Sequence, residues 1–295
     1  MAPDASPSSA SDLTDTDRVH LTCTRLGTCC HGHQIFICPW ELARLASGMG
    51  LEATAFRERY TDCGGTRLIF NGAALTHGPP SHFGKPACAL YDPASGCTVH
   101  AQRPLVCRLY PLGRRRRSGR TVYHQVGSQL PCFALCPTVT ELPQLAVGDY
   151  IREQDISAAE IAHDAYAALA YGMVKAAMVI SRHIPSTQAG ALPGYFAELR
   201  ALSANERPSR IPADWLDRLT APRLAVPLDD PAIYVQAHGQ ALAGALQASF
   251  ATSTAADALS QATRLYLTLA LHLGATVGTD SEVMARLVAG EAVDG

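Results

Sequence analysis

The sequence predicts an α+β protein: a small cysteine-rich N-terminal module of short strands and helices, organised by a metal, followed by an all-α helical C-terminal half. Three observations predict it. All ten cysteines lie between Cys23 and Cys136. The same part of the chain carries an Asn71-Gly72 turn between two apolar runs, a hairpin signal. After Pro137 the composition turns Ala- and Leu-rich with a period near 3.6 residues.

The bulk numbers set the frame. A chain of 295 residues, 47% apolar and 17% charged, has ample material for a core in one large or two modest domains. The net charge of −2 argues against a dedicated nucleic-acid or anionic-membrane binder, so neither is expected as a partner. Residues 1–17, rich in Ser, Pro, Ala and Asp, read as a disordered tail without a secretory apolar core. The cysteine-cluster domain is placed at 18–140 and the helical domain at 141–295. No apolar run reaches the roughly 20 uncharged residues of a membrane helix. A soluble cytoplasmic protein is therefore expected. In that reducing compartment ten cysteines read better as metal ligands or redox groups than as a disulfide framework.

In chain order, Val19–Thr22 reads as a short strand leading to Cys23. Gly27 gives the backbone freedom to fold tightly before Cys29 and Cys30. His31 and His33 either complete a coordination shell or sit on the surface of a turn. Gln34–Cys38 reads as a strand. Pro39 then opens a helix to Ser47 from a first-turn position, and Gly48 and Gly50 stop it. A second helix is predicted over Ala53–Tyr60. Cys38 is read as a buried small hydrophobe, and Cys63 is left unassigned. Arg67–Phe70 and Ala73–Thr76 form the predicted hairpin. Cys88 and Cys97 lie on strands that fold back around an Asp92-Pro93 turn, and Arg103-Pro104 returns the chain to Cys107.

Arg108 either stabilises the Cys107 thiolate by Coulomb attraction or makes a surface ion pair, and Arg103 has the same two readings. The basic run Arg114–Arg117 lacks interleaved aromatics and reads as a solvated turn before a strand at Thr121–Val126. Cys132 and Cys136 are either a ligand-bearing loop or two buried thiols. In the second half, Ser157 and Glu160 form a capping box that launches a helix to about His183. Its apolar face is read as Ile161, Ala165, Ala168, Leu169 and Gly172. Further helices are predicted at Gly194–Ser203, Ala213–Leu219, Pro231–Phe250, Ala255–Leu273 and Ser281–Ala289. His163, Tyr166, His238 and His272 are read as ordinary helix residues.

Eight cysteines gather in or just after two blocks: Cys23, Cys29, Cys30, Cys88, Cys97, Cys107, Cys132 and Cys136. Soft thiolates select zinc, copper(I) or iron–sulfur clusters, so these eight are the candidate metal ligands. The blocks, Cys23-Thr-Arg-Leu26-Gly27-Thr-Cys29-Cys30 and Cys88 through Gly96-Cys97, Val99, Arg103-Pro104, Cys107-Arg108 and Tyr110-Pro111, resemble the YkgJ-type CxxCxxCC cysteine-cluster family of zinc- or iron-chelating proteins. Leu26 stands where that family has its second cysteine, so its ligand set does not transfer whole.

The resemblance implies a metal-binding protein, and some relatives are described as iron–sulfur oxidoreductases or flagellin lysine N-methylases. Eight thiols exceed the four of one tetrahedral zinc, which favours an iron–sulfur cluster over zinc as the cofactor. The expected function is a metal-binding cysteine-cluster protein with oxidoreductase or protein-modifying activity on an unidentified substrate or protein partner. The alternative is a non-catalytic zinc- or iron-chelating or zinc-stabilised interaction protein, and a third reading is a thiol redox sensor.

Overall fold

A computed structural model describes residues 12–21, 27–72, 85–117, 120–125, 141–250 and 256–291. Short antiparallel strand pairs occupy the N-terminal half and helices the C-terminal half, an α+β chain. The backbone divides into two compact units, each assembled from two stretches: Met1–Ile35 with Ile69–Ser157, and Phe36–Leu68 with Ala158–Asp294. Residues 36–68, which composition groups with the cysteine module, thus cluster with the C-terminal helices.

The first unit is built from strand pairs too short to stand alone. Arg18–Val19 pairs with Leu145–Ala146, Phe70–Gly72 with Ala87–Cys88, Tyr91–Asp92 with Gly96–Cys97, and Leu112–Arg117 with Arg120–Gln125. Leu21, Leu112, Val147 and Tyr150 form its apolar core, with Leu13, Val19, Leu145 and Ile151 packed against them. Residues 12–17, counted in the tail from composition, are held here. The Leu13 amide donates to the Tyr123 carbonyl at 2.8 Å, and the Val147 and Gly148 amides donate to Asp17 and Asp15, each at 2.9 Å. Asp12 pairs with Arg115. The basic run therefore lies within a strand, Leu112–Arg117, and does not form a turn.

Asn71-Gly72 is not a hairpin turn. It ends a strand whose partner is Ala87–Cys88, with a register irregularity between Phe70 and Gly72. Arg67–Leu68 pairs backwards with Thr61–Asp62 instead. Long-range pairing on both sides overrides the local turn signal, and Gly72 marks an irregular pairing in the way strand glycines do. Ala73–Thr76 lies outside the described residues. Among the described residues, Gln34–Cys38 forms no strand and makes a single bridge, Phe36 with Arg67.

In the second unit, the helix Pro39–Gly48 buries Trp40, Glu41, Leu42, Leu45 and Ala46 and packs against Ala213–Thr220 and Pro231–Phe250. The Trp40 indole donates to the Leu228 carbonyl at 3.0 Å. Helix Leu192–Ala201 packs against Ala256–Thr276 and Ser281–Val288. The long helix Ser157–Ser181 buries Ala159, Ala162, His163, Tyr166, Ala170, Met173, Val174 and Ala177. Ile161 is 49% exposed, so the face read from the sequence points outward. With alanine nearly all round this helix, periodicity does not single out one side. No described helix is long and apolar enough to cross a membrane.

Two buried histidines set an acid limit on this unit. His238 donates from Nε2 to the Arg218 carbonyl at 2.8 Å, which leaves Nδ1 to accept from the Tyr166 hydroxyl at 3.0 Å. Accepting at Nδ1 needs the neutral ring, and burial, against the bond to the Arg218 carbonyl, lowers its pKa to about 4. Burial, with the charge of Arg207, lowers His272 to about 3. Unfolded histidines protonate near 6.5 while these stay neutral in the fold, so stability is full above pH 6.5 and falls as pH drops toward 4. Each contributes up to about 1.4 kcal/mol per pH unit. Denaturant unfolding read by fluorescence of Trp40 and Trp215, both in this unit, is expected to show that loss between pH 6.5 and 4. In His272→Leu the slope is expected to fall by about one proton's worth, roughly 1.4 kcal/mol per pH unit. An unchanged slope contradicts the assignment.

Candidate metal centre

Local turns present each thiol to one region of the first unit. Cys29 and Cys30 lie in a 3-10 turn, Thr28–Cys30, closed by the Cys30 amide donating to the Gly27 carbonyl at 2.9 Å. The next residue, His31, bridges to Ala87, and the Gly32 amide donates to the Pro86 carbonyl at 3.0 Å. That backbone contact sets the first cysteine block beside Cys88. Cys97 sits opposite Tyr91 in a hairpin whose turn is tied by Asp92. The Asp92 carboxylate accepts from the Ala94 and Ser95 amides at 3.0 and 2.7 Å, and Gly96 supplies the positive φ of +80°. Cys107 lies in the short helix Leu105–Leu109 that starts behind Pro104.

The helix Val147–Gln154, which the sequence reading did not anticipate, fixes the far side. Tyr150 donates its hydroxyl to the Tyr110 carbonyl at 2.6 Å. Arg108 donates to the Arg103 carbonyl at 3.0 Å, to the Gln154 carbonyl at 2.8 Å and to the Ala101 carbonyl. Its guanidinium thus ties the 101–103 stretch to Gln154 beside Cys107, a structural role beyond the two read from the sequence. Arg103, bonded to the Gln154 side chain at 3.3 Å, is the cation whose charge favours the thiolates of Cys29 and Cys97.

The electrostatics show which sulfurs are neighbours. A hydrogen bond from Cys30 brings Cys29 down to about 7, against the opposing effect of burial. That same bond holds Cys30 protonated, and burial and the charges of Cys29, Cys97 and Cys107 act in the same direction. Burial pushes Cys88 up to about 11, with Cys97 and Cys29 adding to it. Cys97 is likewise raised, by burial first and by Cys29 last. Cys29, Cys30, Cys88, Cys97 and Cys107 therefore lie in one another's field. Cys23, Cys132 and Cys136 are outside the described residues.

The surroundings suit a soft metal. Cys29, Cys30 and Cys97 are half-buried and Cys88 is buried, all without a disulfide, and sulfur is the donor that zinc and iron–sulfur clusters take. His31 is 1% exposed. Its Nδ1 lies 3.1 Å from the Gly27 carbonyl, while the buried Nε2 has no hydrogen-bond partner. An orphaned imidazole nitrogen next in sequence to Cys30 is a fitting further ligand. Tyr91 stacks edge-on to His31 at 4.9 Å and covers Gly27. A cleft of about 740 Å³, lined by Ser47, Gly50, Arg223 and Tyr234 among others, belongs to the helical unit, and no described cysteine lines it.

A second group lies within the helical unit. Cys38, Glu41 and His163, all buried, bring a sulfur, an oxygen and a nitrogen within 4.8 Å of one another. The sequence reading took Cys38 for core packing and His163 for an ordinary helix residue. The one local signal was a cysteine three residues before a glutamate at a helix start. Nothing in the sequence ties them to a histidine in a different helix. Cys63 is separate: its thiol donates to Asn205 at 2.9 Å, and burial lifts it to about 11.

Gly27 is the hinge of the first block. At φ +72° an added Cβ stands 2.6 Å from Tyr91 Cε2. The left-handed conformation alone costs an L-residue about 1–2 kcal/mol. Gly27→Ala is expected to lower metal retention at least about tenfold, or 1.4 kcal/mol, measured by competition with a chelator. Gly50→Ala, also at positive φ but with open space around it, is the control and is expected to retain metal. Equal retention in both variants contradicts the role given to Gly27.

Neither the curated proteins nor the solved structures contain a match to the chain. Residues 22–125 of the chain match the model of the CxxCxxCC family, described as a putative zinc- or iron-chelating domain, and the described thiol cluster falls wholly inside that stretch.

Proposed function

We propose that the N-terminal cysteines hold an iron–sulfur cluster and that the protein is a cytoplasmic redox protein acting on a small-molecule or protein partner. The observation that carries this reading is that Cys29, Cys30, Cys88, Cys97 and Cys107, carried by four separate local structures, act on one another electrostatically. Five thiols already exceed the four donors of one zinc ion. They suit a cluster with one sulfur to spare for exchange or for a partner. When bound, the cluster supplies a one-electron couple. The chain's own residues set its surroundings. Arg103 offsets the negative charge of the thiolates, Arg108 and Tyr150 hold the Cys107 segment in place, and Tyr91 shields the Gly27 side from water. A zinc-chelating or zinc-stabilised module is the competing reading, since zinc accepts the same donors.

The test is metal and acid-labile sulfide analysis of anaerobically purified full-length protein, with its visible absorption. Iron and sulfide together, with charge-transfer bands that bleach on reduction, are expected. Stoichiometric zinc in colourless protein overturns the redox reading in favour of the zinc one. Cys97→Ser and Cys107→Ser are expected to weaken metal binding roughly 100-fold or more, about 2.8 kcal/mol. Full retention of metal in both variants counts against the ligand assignment itself.

A further inference from the structure

The group at Cys38, Glu41 and His163 has no part in the cysteine centre, and its chemistry points to a ligand of its own. Cys38 precedes the helix Pro39–Gly48, and its amide donates to Glu41 Oε2 at 3.0 Å. That bond fixes the carboxylate and turns the other oxygen, Oε1, toward His163 on the long helix Ser157–Ser181. His163 Nε2 lies 3.1 Å from Glu41 Oε1. The two are near enough for an ion pair yet misaligned for a hydrogen bond, so Nε2 is left without one. Cys38 is fully buried, and Glu41 and His163 are 3% and 5% exposed, so no solvent makes up the deficit.

Three unlike donors converge here inside a core, which is an expensive arrangement without a cation. With a divalent ion, a thiolate, a carboxylate and a neutral imidazole balance to zero charge. The helix N-terminus favours the two anionic donors as well. The spacing also fits. Bond lengths of about 2.0–2.3 Å put tetrahedral zinc donors about 3.3–3.8 Å apart, and these three atoms lie within 4.8 Å of one another before any ion draws them in.

We propose that Cys38, Glu41 and His163 form a second metal site, distinct from the cysteine cluster, that takes a zinc-class divalent ion. A mixed sulfur, nitrogen and oxygen set suits zinc. Three protein donors are the number zinc carries where it keeps a fourth position for water. The ion cross-links the start of the Pro39–Gly48 helix to a helix more than a hundred residues later. Tyr166 is influenced electrostatically by Cys38 and Glu41, and its hydroxyl is committed to His238. This site does not depend on the iron–sulfur reading.

The test uses the full chain loaded with cadmium-113 in place of zinc. Its NMR shift separates a one-thiolate site from a thiolate-rich one. A one-thiolate resonance is expected, with scalar coupling to the β protons of a single cysteine and to an imidazole ring. In His163→Gln, loss of that resonance and of one equivalent of bound cadmium per chain is expected, while the thiolate-rich resonance persists. Absence of a one-thiolate resonance from the wild-type spectrum overturns the proposal. So does such a resonance without imidazole coupling, and neither outcome requires the variant to fold. The thiolate-rich signal reports on the cysteine centre separately, so the two sites fail or stand independently.

Discussion

The pairing of His31 with Ala87 is the contact on which the cysteine centre depends. It joins two segments that share no local reason to meet, and it places Cys29 and Cys30 beside Cys88. The hairpin from Tyr91 to Cys97 then extends from one side, and the Leu105–Leu109 helix approaches from another. Each of these pieces is two to five residues long. Strand pairs of that size are at best marginal in water, and the cluster of apolar residues at Leu21, Leu112, Val147 and Tyr150 is small. A metal that binds only the converged thiols contributes its binding free energy to folding, which offsets the shortage of buried apolar surface.

Charge follows the same design. Sulfurs that crowd one another resist ionisation, and the charge of Arg103 acts against that at Cys29 and Cys97. Arg108, adjacent to a cysteine and the more obvious candidate from the sequence, is taken up by three carbonyls. A guanidinium reaches several residues away from its own backbone, so sequence adjacency alone does not show which thiols an arginine serves.

Much of the architecture was legible in the sequence, for identifiable reasons. Helices Ala53–Tyr60 and Pro231–Phe250 lie where the pattern put them, since Pro at a first turn and uninterrupted helix formers leave few alternatives. The Asp92 turn was legible because its carboxylate acts locally. What escaped was decided at long range. Asn71-Gly72 was drawn into a strand by Ala87–Cys88. Val147–Gln154 was missed because its stability comes from Tyr150 and Val147 packing on Leu21 and Leu112. The outward face of Ser157–Ser181 was misread because alanine marks no side. The convergence of Cys38, Glu41 and His163 needed a fold to be seen at all. Of the proposed ligands, Cys29, Cys30, Cys88, Cys97 and Cys107 act on one another electrostatically, while Cys23, Cys132 and Cys136 lie outside the described residues.

The most direct measurement of the central claim is amide hydrogen exchange before and after chelation of the metal. Three amides join the thiol-bearing segments: Gly32 to Pro86, Ala89 to Ile69 and Thr98 to Leu90. The Tyr195 amide, bonded to the Ala191 carbonyl in the helical unit and remote in sequence from Cys38, Glu41 and His163, serves as internal reference. If metal at the cysteine centre gives the first unit its shape, removing it collapses protection at the three amides far more than at Tyr195. Protection that survives chelation at all three would show that the segments hold together unaided, and the account would be wrong.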